Sequence, residues 1–274
     1  MLRAMEVTDK LVVVTGGAGG IGRALARRMA AEGAAGVVVA DLDGAGAERV
    51  AGEIEAAGGR AVALGGDVSA DEDVRALLER AEEAFGPVDV FCANAGVAVG
   101  AEPHTTPPDE WDLAFAVNIR AHIVAARHLL PGWLERGSGC FLSTASAAGL
   151  VSQIGSAPYA VTKHAAVAFA EWLSITYGER GVHVACLCPM GVNTAMLHAG
   201  GDENVASATV TAAGAVLEPE DVADAVIDGL RAERFLILPH PEVLTFFQRK
   251  ASDYDRWLAG MRRLQRTVTR AAPG

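Results

Sequence analysis

Residues 15–22 read Thr15-Gly16-Gly17-Ala18-Gly19-Gly20-Ile21-Gly22, directly after the apolar run 11–15 and before an apolar stripe of Ala24, Leu25 and Met29. A strand that enters a helix through so many glycines turns tightly and packs close to that helix. Such a junction opens a βαβ unit, and the rest of the chain agrees. Short β-rich runs at 36–41, 61–65, 88–93, 139–143, 182–188 and 235–238 alternate with helical patterns at 21–32, 44–57, 71–85, 109–136, 158–179 and 219–231. Several runs are apolar throughout, as in strands covered on both faces. The expected class is α/β, a doubly wound parallel sheet of about seven strands with helices on both faces and right-handed crossovers.

Local punctuation supports this division. Gly33 stops the first helix, and Ser69 is placed to cap the helix running through Val74, Leu77 and Leu78. Glu218-Pro219-Glu220-Asp221 puts a proline and acids in a first helical turn, where they are favoured. No repeat or linker divides the chain, so one domain over 1–274 is expected, with a long loop at 194–217 and a C-terminal extension at 240–274. In that extension Leu244, Phe247, Ala251, Tyr254, Leu258 and Met261 form one amphipathic seam. Arg249, Lys250, Arg256, Arg262, Arg263 and Arg266 mostly lie off it. The seam is expected to dock on the body or on a neighbouring subunit.

Charge narrows the function classes. The chain carries a net −11, yet residues 240–274 hold seven Lys/Arg against three Asp/Glu. The chain as a whole should avoid nucleic acid and anionic membranes, which require a basic surface. Neither a secretory signal nor a membrane-length apolar run is expected, so no stable membrane insertion is foreseen. Cys92, Cys140, Cys186 and Cys188 form no CxxC pair and sit in strand-like runs. They read as buried reduced thiols without a metal, consistent with the cytoplasm.

Two constellations carry chemistry. The glycine turn lets the backbone approach a pyrophosphate, and the helix start offers free N–H groups to it. Asp41 ends the second strand, nineteen residues after Gly22, where an acid binds both ribose hydroxyls of an adenosine, with Leu42 beside it. Asp43 is near, and no Lys or Arg lies between residues 29 and 48 to meet a 2′-phosphate. The cofactor expected is NAD, not NADP. Further on, Tyr159 and Lys163 are one helical turn apart. With three Tyr and three Lys in 274 residues, chance gives such a spacing only about 3 % of the time. A phenol with a pKa near ~10 is a poor base at neutral pH, but an ammonium about 4 Å away can lower that value. Tyr159 could then exchange a proton with a substrate oxygen. Ser146, just past a strand, could polarise the same oxygen, with Ser143 competing for that part.

These residues resemble the classical short-chain dehydrogenases/reductases over roughly residues 8–240, and the resemblance implies a Rossmann-type fold. The Thr-Gly-x-x-x-Gly-x-Gly loop is Thr15, Gly16, Gly20 and Gly22, with Ile21 inside it. The NAD-selecting acid is Asp41, and the adenine-side pair is Asp67-Val68. Asn94-Ala95-Gly96 closes the fourth strand. Asn118, Ser146, Tyr159 and Lys163 match the catalytic set, and Pro189, Val192 and Thr194 match the loop at the nicotinamide. The resemblance further implies that Tyr159 and Lys163 touch the cofactor, that Lys163 holds the nicotinamide ribose, and that Asn118 supports a proton relay through water. It also implies a homodimer or homotetramer packed through the helices bearing Asn118 and Tyr159. Cys92-Ala93 stand where a second asparagine is common, and Met190 stands where the family loop has glycine. Met190 is expected to shape substrate choice.

The function expected is hydride transfer between NAD and a mainly apolar secondary alcohol or ketone, of hydroxysteroid type or a secondary aliphatic or cyclic alcohol. The segment 194–217 would act as a lid, including Gly200 and Gly201. His198 is its only basic side chain between 195 and 215, so no cationic clamp for an anionic substrate is expected there. Glu102 and His104 are read as solvated loop residues or as a pocket rim. The alternatives are a lyase or epimerase on the same fold and a non-catalytic NAD sensor.

Overall fold

The computed structural model describes residues 5–199 and 205–271. Its centre is a parallel sheet of seven strands in the order β3-β2-β1-β4-β5-β6-β9. The strands are β1 (Leu11–Thr15), β2 (Gly36–Asp41), β3 (Ala61–Gly65), β4 (Val90–Ala93), β5 (Gly139–Thr144), β6 (Val182–Leu187) and β9 (Leu236–Ile237). Alternate residues of β1 explain its unbroken apolar run. Val12 and Val14 pack on one face with Leu25, Met29 and Val226, while Leu11 and Val13 pack on the other with Leu77, Leu129 and Leu173. The expected doubly wound sheet is therefore present.

The helices on one face are α1 (Gly20–Ala31), α2 (Gly44–Ala56) and α10 (Pro219–Arg231). On the other lie α3 (Asp71–Phe85), α5 (Ala121–Arg136) and α7 (Ala157–Tyr177). The strand order reverses between β1 and β4, and ligands of such sheets bind at the carboxyl ends beside that reversal. Residues 15–22 and 94–96 are at that position.

Four details depart from expectation. Ser69 caps nothing: α3 follows Ala70 without a side-chain cap, and the Ser69 N–H donates to Asp67. Asp71, Glu72 and Asp73 supply negative charge to the first turn instead. The 194–217 segment is not a plain loop. It contains α8 (Ala195–His198), α9 (Val205–Ala213) and β8 (Val216–Leu217), which pairs with β7 (Gly191–Val192); Gly200 and Gly201 lie outside the described residues.

The C-terminal seam is two helices, α11 (Glu242–Ser252) and α12 (Tyr254–Ala271), broken where Asp253 adopts an extended backbone. That break rotates the faces, so Leu244, Tyr254 and Leu258 stay exposed while Val243, Lys250 and Val268 are buried. Lastly, one continuous helix, residues 108–136, is long and apolar enough to cross a membrane. Half of its apolar window is buried in the fold, where a core helix has the same need for apolar side chains.

Candidate active site

The glycine turn is built as its sequence requires. Gly16 has φ +64°, and a Cβ on Gly22 would collide with the Gly16 carbonyl oxygen. Thr15 ties the turn to the end of β4: its Oγ1 accepts the N–H groups of Asn94 and Ala95 at 3.0 and 3.1 Å and donates to Cys92 O at 3.2 Å. Helix α1, entered through Gly19, has no side-chain cap and no acid in its first turn. Its free N–H groups open on a cavity of about 1530 Å³ lined by Gly19, Gly20, Ile21 and Gly22. At the end of β2, Asp41 accepts Ala18 N–H and Asp43 N–H, each at 2.9 Å. Leu42 beside it is 79 % exposed. This donor set fits a dinucleotide: an uncapped positive helix end for phosphates and a carboxylate for ribose.

The same cavity extends to the carboxyl ends of β4, β5 and β6. Every cofactor-site residue expected from the sequence lines it, including Asp67, Val68, Gly96, Pro189, Val192 and Thr194. Ser146 and Tyr159 line it too, and Lys163 rises behind them. Ser156 caps α7 by accepting the Tyr159 N–H, which fixes the first turn of that helix. Lys163, 3 % exposed, donates to Thr144 O at 3.0 Å and lies 5.6 Å from the centre of the Tyr159 ring. The competing serine is resolved: Ser143 lies inside β5, wholly buried, its Oγ 3.1 Å from His122 Nδ1. Ser146 faces the cavity, with its Oγ accepting Ala148 N–H at 3.1 Å.

Electrostatics here are governed by burial. The Tyr159 phenol is pushed above its ordinary value by desolvation, with the Ser146 hydroxyl pulling against it. Lys163 is brought down to about 8, again by desolvation. The expected lowering of the phenol does not appear in this arrangement, because desolvation of Tyr159 itself outweighs the groups around it. The Thr144 hydroxyl is buried on the cavity wall and has no hydrogen-bond partner among the described residues.

Of the catalytic set that the resemblance implies, only Asn118 is off the cavity wall. It sits in a π-helical turn, Ala116–Arg120, between α4 (Pro108–Phe115) and α5. Its Nδ2 donates to Val97 O and Thr162 Oγ1 at 2.9 and 3.0 Å, and its Oδ1 accepts Val97 N–H at 2.8 Å. The side chain thereby joins the segment after β4 to the helix of Tyr159. Glu102 and His104 are exposed, lie 3.5 Å apart and do not line this cavity.

One residue behind the cavity wall, His240, had no sequence signal. His240, 1 % exposed, holds the loop after β6 by its ring nitrogens. Met190 lines the cavity, its methyl close to Gly214. The C-terminal extension closes the substrate end: Phe246 and Arg249 of α11 and Arg256, Trp257 and Arg263 of α12 all line the cavity. All four cysteines are free and buried, with Cys186 and Cys188 Sγ 3.8 Å apart. Among the described residues no cluster of His, Cys, Asp and Glu is suited to a metal.

Comparison with known proteins matches these features. The family model for short chain dehydrogenase covers residues 10–204. The chain is 38 % identical over 248 residues to 1-deoxy-11-beta-hydroxypentalenate dehydrogenase of Streptomyces exfoliatus, covering 87 % of this chain and 86 % of that protein. It is 33 % identical over 224 residues to 3beta-hydroxysteroid dehydrogenase 1 of Eggerthella lenta, covering 80 % and 86 %. The crystal structure of a short chain dehydrogenase/reductase from Burkholderia phymatum in complex with NAD superposes with a TM-score of 0.84 at 30 % identity, covering 91 % of this chain and 95 % of that one.

Proposed function

The chain belongs to the short-chain dehydrogenase family, and from that membership we infer that it is an NAD-dependent oxidoreductase acting on CH–OH groups. It interconverts a mainly apolar secondary alcohol and its ketone. The observation that carries this reading is one cavity with an uncapped helix and Asp41 at one end and Ser146, Tyr159 and Lys163 at the other. Bound NAD supplies the nicotinamide carbon that accepts or returns the hydride.

The side chains handle the proton and the geometry. Tyr159 takes the hydroxyl proton as the alcohol becomes a carbonyl and returns it in the reverse direction. Ser146 donates to the same oxygen and fixes its direction. The Ser146 hydroxyl, which pulls the phenol's value back down, opposes the cost of forming a phenolate under burial, and the Lys163 ammonium stands 5.6 Å from the phenol ring centre. Asn118 acts by position, locking Val97 to Thr162; a water relay from Lys163 would extend that role. Asn94, Ala95, Gly96, Pro189 and Thr194 would wall the nicotinamide, and Asp67-Val68 would wall the adenine.

On this reading the chain is one catalytic domain of the cytoplasm, with 194–217 as the lid. Exposed Phe115, Ile123, Trp172 and Ile175, on or beside the helices bearing Asn118 and Tyr159, support assembly as a homodimer or homotetramer. Incubation with NAD and a panel of secondary alcohols should produce NADH absorbance. Tyr159→Phe should lower kcat by about 10²–10⁴-fold while NADH still binds. Full activity in that variant would refute the mechanism.

A further inference from the structure

The charge on the substrate wall is unlike the rest of the molecule. Arg249, Arg256 and Arg263 recur every seventh residue, two helical turns apart, and all three line the cavity across the break at Asp253. Some arginines elsewhere in the fold are paired: Arg23 with Glu53, Arg28 with Asp224, Arg127 with Asp71. Among the described residues none of the three cavity arginines has an ion pair or a side-chain hydrogen bond. The Asp253 carboxylate, which also lines the cavity, accepts the Arg256 backbone N–H at 3.0 Å. Asp41 and Asp67 lie at the opposite, nucleotide end.

Three exposed arginines, without an ion pair among the described residues, therefore line one cavity of a chain whose net charge is −11. Apolar Phe246, Trp257, Met261 and Leu264 stand between and beside them. Gly260 leaves space there: a Cβ at that position would lie 3.7 Å from Arg263 Nη2. Guanidinium groups recognise carboxylate and phosphate oxygens through paired N–H donors. An apolar wall carrying such donors suits a ligand with an apolar body and an anionic end.

We propose that the substrate is an amphiphilic alcohol or ketone whose anionic oxygen group, remote from the reacting carbon, is held by Arg249, Arg256 and Arg263. This rests on the oxidoreductase reading for the reacting end only. It places a cationic clamp on the C-terminal extension; the lid's His198 Nε2 lies 2.8 Å from Asn193 Oδ1.

The test is calorimetric titration of the NADH-saturated protein with decanoate, decyl phosphate and decanamide. At least one anion should bind about tenfold or more tighter than the amide, and the tighter of the two identifies the group. The triple variant R249M/R256M/R263M should bring the anion to the amide's affinity, with thermal melting confirming its fold. Arg256→Met, as a milder change, should remove part of the preference. Equal binding of anions and amide, a preference that survives the triple variant, or a parallel loss for the amide would overturn the proposal. NADH formation from 2-decanol is measured alongside, so failure of the oxidoreductase reading is seen separately.

Discussion

The Nδ1 atom of His240 accepts the backbone N–H of Met190 at 3.1 Å. The opposite ring nitrogen, Nε2, then donates to the Gly191 carbonyl at 3.0 Å. The two bonds demand a single neutral tautomer. They fasten the loop that walls the cavity to the first residue of the C-terminal extension.

His240→Ala would leave a buried N–H and a buried C=O without partners, at about 1–3 kcal/mol for an unsatisfied group. Urea denaturation should show that loss, and kcat/KM should fall as the loop loosens. His240→Asn, which keeps a donor and an acceptor, should recover part of both. Unchanged stability in His240→Ala would show that the loop is held by other means.

Lys163 gives a pH signature. Its folded value of about 8 lies below the ordinary 10.5, so between these values the unfolded chain binds more protons. Stability must then rise with pH in that window. The rise ends near ~10, where the Tyr159 phenol, raised by burial, starts to act in the opposite sense. Lys163→Met removes the charged group and its window. The variant's stability advantage should be largest below pH 8 and shrink above it, with a full span of about 3 kcal/mol. Denaturant titrations of both proteins from pH 7 to about 10 check this; parallel curves would contradict the burial argument.

Asp41 fixes cofactor choice. Its two oxygens already hold Ala18 and Asp43 N–H groups, so it cannot swing away from a 2′-phosphate. Each charge pair at about 4 Å costs about 1 kcal/mol even in water. With Asp43 adjacent, NAD should be preferred over NADP by roughly tenfold or more in kcat/KM. Asp41→Ser should narrow that ratio. Comparable wild-type values for both cofactors would exclude the role given to Asp41.

Much of this was legible in the residues. Strands β1, β2 and β3 were delimited correctly because a strand buried on both faces must be apolar at every position, and glycines or polar residues mark its ends. The glycine turn, Asp41, Tyr159 and Lys163 were legible because their chemistry depends on short local spacings. What was hidden depends on distant contacts. Asn118 looked like any helix asparagine until the π-helical turn aimed it at Val97 and Thr162. The direction of the Tyr159 shift required knowing how deeply the phenol itself is buried. The seam from Leu244 to Met261 reads as one helix because an unbroken periodicity does not reveal the extended backbone at Asp253 that divides it, beyond which Arg256 and Arg263 line the cavity.

The same extension is anchored by a buried lysine, which supplies the last prediction. Lys250, 9 % exposed, donates to Leu150 O at 2.7 Å and meets His164 Nε2 at 3.4 Å. His164 Nδ1 lies 2.8 Å from Ala160 O and must carry its proton there, so Nε2 presents a lone pair to Lys250. The ammonium thus joins α11 to α6 (Ala148–Val151) and to the helix of Tyr159. Lys250→Met keeps the apolar stem but abandons the Leu150 carbonyl, at about 1–3 kcal/mol. Since α11 and α12 wall the substrate end and contribute nothing to the glycine turn, the substrate KM should rise while the NADH Kd stays within about twofold. Proteolysis should also cut the extension sooner. A rise in NADH Kd matching that in KM would mean that the extension supports the whole fold and not the substrate wall.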